Sequence, residues 1–299
     1  MAPRQLISRH DLWQWRQEAR QQAIAADIPV AEVDWLLQQL TGLDRLTLRL
    51  LSARDQTTIA MTHSLEELSQ LWQQRLESRV PVQYLAGAAP WRNFVLSVSP
   101  AVLIPRPETE YVIDLAIDAV QHQPELKQGH WADLGTGSGA IALGLADAFA
   151  EASIHAVDRS VDALAVAQQN AKQLGLSDRI QFYQGDWFEP LDHLQGKLSG
   201  MVSNPPYIPS AMLSELQPEV ATHEPSLALD GGADGLDCIR HLVATAPNYL
   251  IPGGVWLIEM MAGQAEAVAN LLQTQGNYGN VQIYPDLAGV DRFALAYRI

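Results

Sequence analysis

Asp133-Leu134-Gly135-Thr136-Gly137-Ser138-Gly139 is the stretch on which the reading of this chain turns. It follows a short apolar run that ends at Leu134 and precedes a helical pattern that opens at Ala140. Glycines at 135, 137 and 139 let the backbone turn sharply and let a ligand come close to the main chain. With Ala140 the block also satisfies the loosened dinucleotide pattern G-x-G-x-x-G/A. Taken alone it could be a ligand-free strand-to-helix turn, so its surroundings decide what it does.

Downstream of the loop, short apolar runs alternate with helical periods. Strands are predicted near 131–134, 154–157, 180–183, 199–203 and 254–259, and helices near 140–149, 160–174, 235–246 and 262–274. Such alternation builds βαβ units and a parallel sheet covered on both faces. The end of the chain differs. Val281-Gln282-Ile283-Tyr284 and Phe293-Ala294-Leu295-Ala296-Tyr297, joined by a turn through Gly289, predict an antiparallel hairpin.

Upstream, the chain reads as helices. Ser8 can cap a helix to about Ala26, with Leu12, Trp15, Ala19 and Ala23 along one stripe. Val33, Leu36, Leu37 and Leu40 repeat at helical spacing before Gly42, a stop signal. Ser64-Leu65-Glu66-Glu67 is a capping box with an apolar stripe behind it. Residues 1–78 are therefore expected to form a small helical bundle and 79–105 a hairpin-like connector. Residues 106–299 form the main α/β domain, with a further helix from Pro107 to about Gln121.

The predicted strand ends converge on one ligand. Asp158 closes the second strand about 20 residues beyond the first glycine, where a carboxylate can accept from both hydroxyls of a ribose. After the third strand, Trp187 could cover an adenine ring and Asp186 could accept from its amino group. In open α/β sheets ligands sit beyond the carboxyl ends of the strands. The fourth strand ends in Asn204-Pro205-Pro206-Tyr207. Residues before proline are held extended, and proline itself has no N–H. The loop can therefore offer two acceptors, the Asn204 side-chain oxygen and the Pro205 carbonyl, to the two donors of a planar –NH2 group, with Tyr207 against its flat face.

Bulk composition narrows the choice. Of 299 residues, 47% are hydrophobic and 18% charged, the balance of a soluble globular protein. Net charge is −15, which offers no basic footprint for duplex nucleic acid. The single cysteine, Cys238, excludes an intrachain disulfide and fits a reducing cytoplasm. The start of the chain carries charges from Arg4 to Asp11, with no signal-like apolar run, and no stretch is long enough to span a bilayer. The 8 histidines show no metal-ligand spacing, so no metal is expected.

Asp133 to Gly139, Asp158, and Asn204 to Tyr207 together resemble the class I S-adenosylmethionine methyltransferases that modify exocyclic or amide nitrogens. That resemblance implies a Rossmann-like sheet with a C-terminal antiparallel hairpin, joined here to the N-terminal helical domain. Amino-methylating DNA enzymes and protein-glutamine methyltransferases share the tetrapeptide. Three further blocks choose between them: Leu103-Ile104-Pro105-Arg106-Pro107-Glu108-Thr109-Glu110; His223-Glu224-Pro225 with Ala228-Leu229-Asp230-Gly231-Gly232; and Asp286 to Arg292. All three resemble the peptide chain release factor glutamine methyltransferase family. Glutamine methyltransferases acting on a ribosomal protein tend to differ in the Pro-Arg-Pro-Glu-Thr-Glu block.

The resemblance implies S-adenosyl-L-methionine as cofactor, S-adenosyl-L-homocysteine as product, and release factors as protein substrate, in support of translation termination. Binding to membranes or directly to nucleic acid is not expected. Cofactor binding is expected of Gly135, Thr136, Gly137, Ser138, Gly139, Asp158, Asp186, Trp187 and Asn204. Substrate binding is expected of Asn204, Pro205, Pro206 and Tyr207, with Asn204, Pro205 and Tyr207 catalytic. The run Glu259-Met260-Met261-Ala262-Gly263-Gln264 departs from the family's usual pattern after the fifth strand, so no role follows for Glu259. None follows for Glu108, Thr109, Glu110 or Glu224.

Overall fold

The computed structural model describes residues 5–52, 54–55 and 57–299, so Arg4 lies outside the described residues. Two compact units emerge, Met1–Ala88 with Pro218–His223, and Ala89–Gln217 with Glu224–Ile299.

The first unit runs β1 (Gln5–Ser8), α1 (Arg9–Ala25), α2 (Ala31–Thr41), α3 (Arg45–Leu50), β2 (Thr58–Met61), α4 (Leu65–Glu77) and α5 (Val82–Ala86). Most of the expected stripes is buried, Leu12, Ala19 and Ala23 on α1 and Val33, Leu36 and Leu37 on α2, while Trp15 and Leu40 are half-buried; α4 buries Leu68 and Trp72. Ser8 accepts from the Asp11 N–H at the start of α1, and Gly42 ends α2 at φ 71°. Reading helices alone missed the antiparallel pairing of β1 with β2, from Gln5↔Met61 to Ser8↔Thr58. Strands of 4 residues carry too few alternations to show a period.

At the start of α4 the capping box closes in both directions. The Glu67 N–H donates to Ser64 Oγ at 3.1 Å and the Ser64 N–H donates to the Glu67 carboxylate at 2.6 Å. Ser64→Ala is expected to lower unfolding stability by about 1 kcal/mol. Denaturant titration reads this directly, and equal midpoints for the two proteins would show that the cap does not hold the helix.

The second unit begins at the second residue of β3 (Ala88–Trp91), which pairs with β4 (Phe94–Ser97); a single 3₁₀ turn Glu108–Glu110 then runs into α6 (Tyr111–Ala119). There follow β5 (His130–Leu134), α7 (Ala140–Ala148), β6 (Ser153–Asp158), α8 (Val161–Gln173), β7 (Ile180–Gln184) and β8 (Leu198–Ser203). The chain next contributes α9 (Pro218–His223) to the first unit. It closes with α10 (Asp237–Thr245), β9 (Leu250–Glu259), α11 (Ala265–Gln275), β10 (Tyr278–Pro285) and β11 (Asp291–Arg298).

The seven-stranded sheet has the order β10-β11-β9-β8-β5-β6-β7. Strands β7, β6, β5, β8 and β9 run parallel, while β11 is antiparallel to both β9 and β10. Every residue of β8 is buried, as a central parallel strand covered by helices on both faces requires. Gly200 in that strand cannot be larger, because a Cβ there would sit 2.4 Å from the Trp131 ring. The parallel strands end at Leu134, Asp158, Gln184, Ser203 and Glu259, all at one edge of the sheet. Phe293, near the start of β11, pairs with Glu259 at that same edge.

Within the first unit α9 is tied down by charge. The Arg75 side chain, only 4% exposed, donates to Glu32 at 2.6 and 3.1 Å and to Glu219 of α9 at 2.8 Å. Arg79 pairs with the same Glu219 at 2.7 Å, and a His223 ring nitrogen meets the Ser78 carbonyl at 2.6 Å.

Candidate functional site

The glycine loop leaves β5 and is stitched to the end of β6. The Gly135 and Thr136 N–H groups both donate to the Val157 carbonyl at 2.9 Å, and the Gly137 N–H donates to Asp158 Oδ2 at 2.9 Å. The three glycines have φ of 76°, 53° and 84°, in the left-handed region that side chains disfavour. Their surroundings differ. A Cβ on Gly139 would lie 3.1 Å from the Ala167 methyl, so this glycine lets α7 approach α8. A Cβ on Gly137 would meet nothing within 4 Å, which leaves its backbone open to a ligand. The second oxygen of Asp158 accepts from the Ser160 N–H at 2.9 Å. Burial raises the pKa of this carboxyl, against the pull of those backbone donors.

Asp133, the first residue of the motif, is wholly buried. Its Oδ2 accepts from the Thr136 hydroxyl at 2.5 Å and from the Ala142 N–H at 2.9 Å. Among the described residues its Oδ1 has no hydrogen-bond partner. Desolvation pushes its pKa up to about 7. A carboxyl whose folded pKa lies above its unfolded value contributes stability that is complete below the unfolded pKa and is lost as pH rises through the folded one. Asp133→Asn does not titrate. Its stability relative to wild type should therefore improve by a few kcal/mol between about pH 4 and pH 7. Denaturation at several pH values checks this, and a difference that stays flat across that window would mean Asp133 is not strained by burial.

Trp187 has φ 51°, an unusual conformation for a bulky residue, and its ring lies 3.5 Å from where a Gly135 Cβ would be. Asp186 is half exposed and pairs with Arg159 at 3.2 Å. A cleft of about 240 Å³ opens at the carboxyl edge of the sheet, and Gly135, Thr136, Gly137, Ser138, Asp158, Asp186, Trp187, Asn204 and Pro206 all border it. The structure thus gathers most of the expected site residues around one cavity. Gly139, Pro205 and Tyr207 are not on its wall.

From the cleft wall inward runs a chain of polar groups whose connection sequence reasoning missed. Asn204 Nδ2 donates to Thr109 Oγ1 at 3.3 Å, and the Thr109 hydroxyl donates to Glu259 Oε2 at 2.5 Å. Tyr207, expected against a substrate face, has its hydroxyl donating to the other Glu259 oxygen at 3.0 Å. Glu259 is 2% exposed, and burial raises its pKa. Burial and the adjoining Glu259 carboxylate push the Tyr207 phenol far up. Glu224, also buried, accepts from Arg106 at 2.7 Å, and Arg106 borders the cleft. Burial is the main cause of the raised Glu224 pKa. One signal was there to find. Glu259 ends the apolar run Val255-Trp256-Leu257-Ile258, a strand-end carboxylate of the same kind as Asp158.

The residues fit an S-adenosyl nucleoside. The loop backbone is open at Gly137, a carboxylate closes the neighbouring strand, and an aromatic ring flanks the glycines. Among the described residues no group of three or more His, Cys, Asp or Glu could hold a metal ion, and no helix is long and apolar enough to cross a membrane.

The Methyltransferase small domain family matches residues 113–217, and the PrmC N-terminal domain family matches residues 14–87. The hMettl16 catalytic domain, solved with a MAT2A 3'UTR hairpin, shares the fold at a TM-score of 0.55 and 15% identity, over 78% of this chain and 80% of that one. The release factor glutamine methyltransferase of Thermosynechococcus vestitus is 50% identical over 95% of this chain and 96% of its own length. That of Synechocystis sp. is 52% identical over 97% of each chain. Likeness of that depth runs through both units, and the chain belongs to the release factor glutamine methyltransferase family.

Proposed function

We propose that the protein methylates the side-chain amide nitrogen of the glutamine in the Gly-Gly-Gln loop of peptide chain release factors, in the cytoplasm and in support of translation termination. The observation that carries this reading is the orientation of Asn204. Its Nδ2 is engaged with Thr109, which leaves Oδ1 as the end available to an incoming amide at the cleft.

Bound S-adenosylmethionine supplies an electrophilic methyl group on a sulfonium sulfur. To hold it, the loop from Gly135 to Ser138 would lend its backbone, open at Gly137, while Gly139 serves the packing of α7 on α8; Asp158 would accept from ribose hydroxyls, Trp187 would cover the adenine and Asp186 would accept from its amino group. An amide nitrogen is a poor nucleophile, since its lone pair is delocalised into the carbonyl. Asn204 Oδ1 and the Pro205 carbonyl accept hydrogen bonds from its two N–H groups, which raises electron density on nitrogen and fixes its direction of attack. Pro206 shapes the wall beside them. Tyr207 acts through Glu259, its hydroxyl holding that carboxylate in place. No general base is assigned, because the nitrogen becomes strongly acidic once alkylated and can release its proton to water. Two glycines beside the target glutamine give a loop free of side chains, suited to a narrow cleft.

The helical residues 1–78 dock the release factor in this reading, since every group facing the nucleoside comes from the second unit. With a net charge of −15 the chain has no counterion-releasing footprint for direct nucleic-acid binding. Mass spectrometry of a release factor incubated with the protein and S-adenosylmethionine tests the proposal. One added methyl on the Gly-Gly-Gln glutamine is expected. Labelled methyl entering DNA or a ribosomal protein instead would replace it.

A further inference from the structure

We propose that Thr109, backed by Glu259, is a positioning residue that sets which end of the Asn204 carboxamide faces the substrate. The inference rests on the amide-binding reading of Asn204 and adds what that reading lacks. The two ends of a carboxamide have nearly the same shape, but one accepts and the other donates. A substrate –NH2 group has only donors to offer. Asn204 can hold it with Oδ1, whereas a flipped Asn204 would oppose donor to donor. Shape alone does not choose between the two rotamers, so a hydrogen-bond partner of fixed polarity must.

Thr109 has that polarity. Its hydroxyl has a single proton, and Glu259 Oε2 takes it at 2.5 Å. The Tyr207 hydroxyl occupies Oε1 at 3.0 Å and Thr109 meets Oε2, so each carboxyl oxygen faces a hydroxyl donor, and in the carboxylate form Glu259 can only accept. Thr109 Oγ1 is left with lone pairs alone toward Asn204, and the end of Asn204 that meets it at 3.3 Å is the donor Nδ2. Oδ1 is thereby directed away from Thr109. The carboxylate cannot readily swing away, because Tyr207 donates to its Oε1 at 3.0 Å and the residue is 2% exposed. Burial is the main cause of the raised Glu259 pKa and the nearby Glu108 adds to it, while the Thr109 and Tyr207 donors and Arg292 pull the other way. Asn204 and Thr109 border the cleft and Glu259 does not. The carboxylate therefore acts on the substrate only through the hydroxyl.

Steady-state kinetics on a release factor, with cofactor affinity measured by calorimetry, test the relay in two variants. Thr109→Val keeps the shape and loses the hydroxyl. Its kcat should fall about 10- to 100-fold, while KM for the release factor and affinity for S-adenosylmethionine stay within about threefold of wild type. Thr109→Ser keeps the hydroxyl and loses the methyl, and should recover most of the turnover. Wild-type kcat in Thr109→Val, equal loss in both variants, or a parallel collapse of cofactor affinity would each overturn the relay. These outcomes leave the proposed function standing as long as wild type methylates the glutamine. A wild-type protein that leaves the glutamine unmodified would overturn both.

Discussion

Asn204→Ala should lower kcat for release-factor methylation by about 10²–10³, the usual effect of removing one positioned polar contact from a transition state. The alanine variant loses an acceptor for one amide proton, so the nitrogen is both less polarised and less well aimed. Cofactor affinity should change far less, because Asp158 and Trp187 stay in place. Asn204→Asp separates acceptor count from polarity. By acceptor count alone, aspartate would keep most of the activity. The contact at 3.3 Å argues otherwise, since the Thr109 hydroxyl already donates to Glu259 and has nothing left to donate to a carboxylate. An aspartate there sets oxygen against oxygen beside a buried carboxylate and adds negative charge near a sulfonium. Its turnover is expected to fall as far as that of the alanine variant. Single-turnover methylation of a release factor by both variants is the measurement, and near-wild-type rates from both would mean that the amide is held elsewhere.

Asp158→Ala should weaken S-adenosylmethionine binding about 10²-fold or more. Charge-assisted hydrogen bonds contribute roughly 1.5–3 kcal/mol each, and the proposed pair to the ribose would be lost together. The loop is also loosened, because the same carboxylate accepts from the Gly137 and Ser160 N–H groups at 2.9 Å. Asp158→Asn can retain one acceptor for each neighbour only in part, and should fall between wild type and alanine. Calorimetric titration of folded variants decides. Unchanged affinity in Asp158→Ala would remove the carboxylate from the nucleoside site.

These two residues were legible in the sequence because each sits beside a local signal. Asp158 ends an apolar strand a fixed interval after a glycine loop, and Asn204 opens a proline pair whose backbone has few conformations. The parallel strands were legible for a related reason, since strands buried on both faces read as unbroken apolar runs, as in Leu198–Ser203. Glu259 also ends an apolar run, but nothing local ties it to Thr109, which carries no such mark. Their bond joins residues separated by 150 positions, and that of Asn204 to Thr109 by 95, so only the assembled sheet brings them together. The pairing of β1 with β2 and the assignment of α9 to the first unit were hidden in the same way. Each depends on a distant partner and not on any local period.

The detour of α9 sets a timetable for synthesis. The first unit includes Pro218–His223, yet the ribosome has long since passed residue 88 when that segment is made. At about 5–20 residues per second, the wait is roughly 7 to 27 s. Through that interval Arg75 has Glu32 but lacks Glu219, and the nascent helices hold an incomplete ion cluster. The N-terminal unit cannot reach its final form as an independent first product of translation. It is finished only after the chain has been made through β8 and returns to supply its last helix.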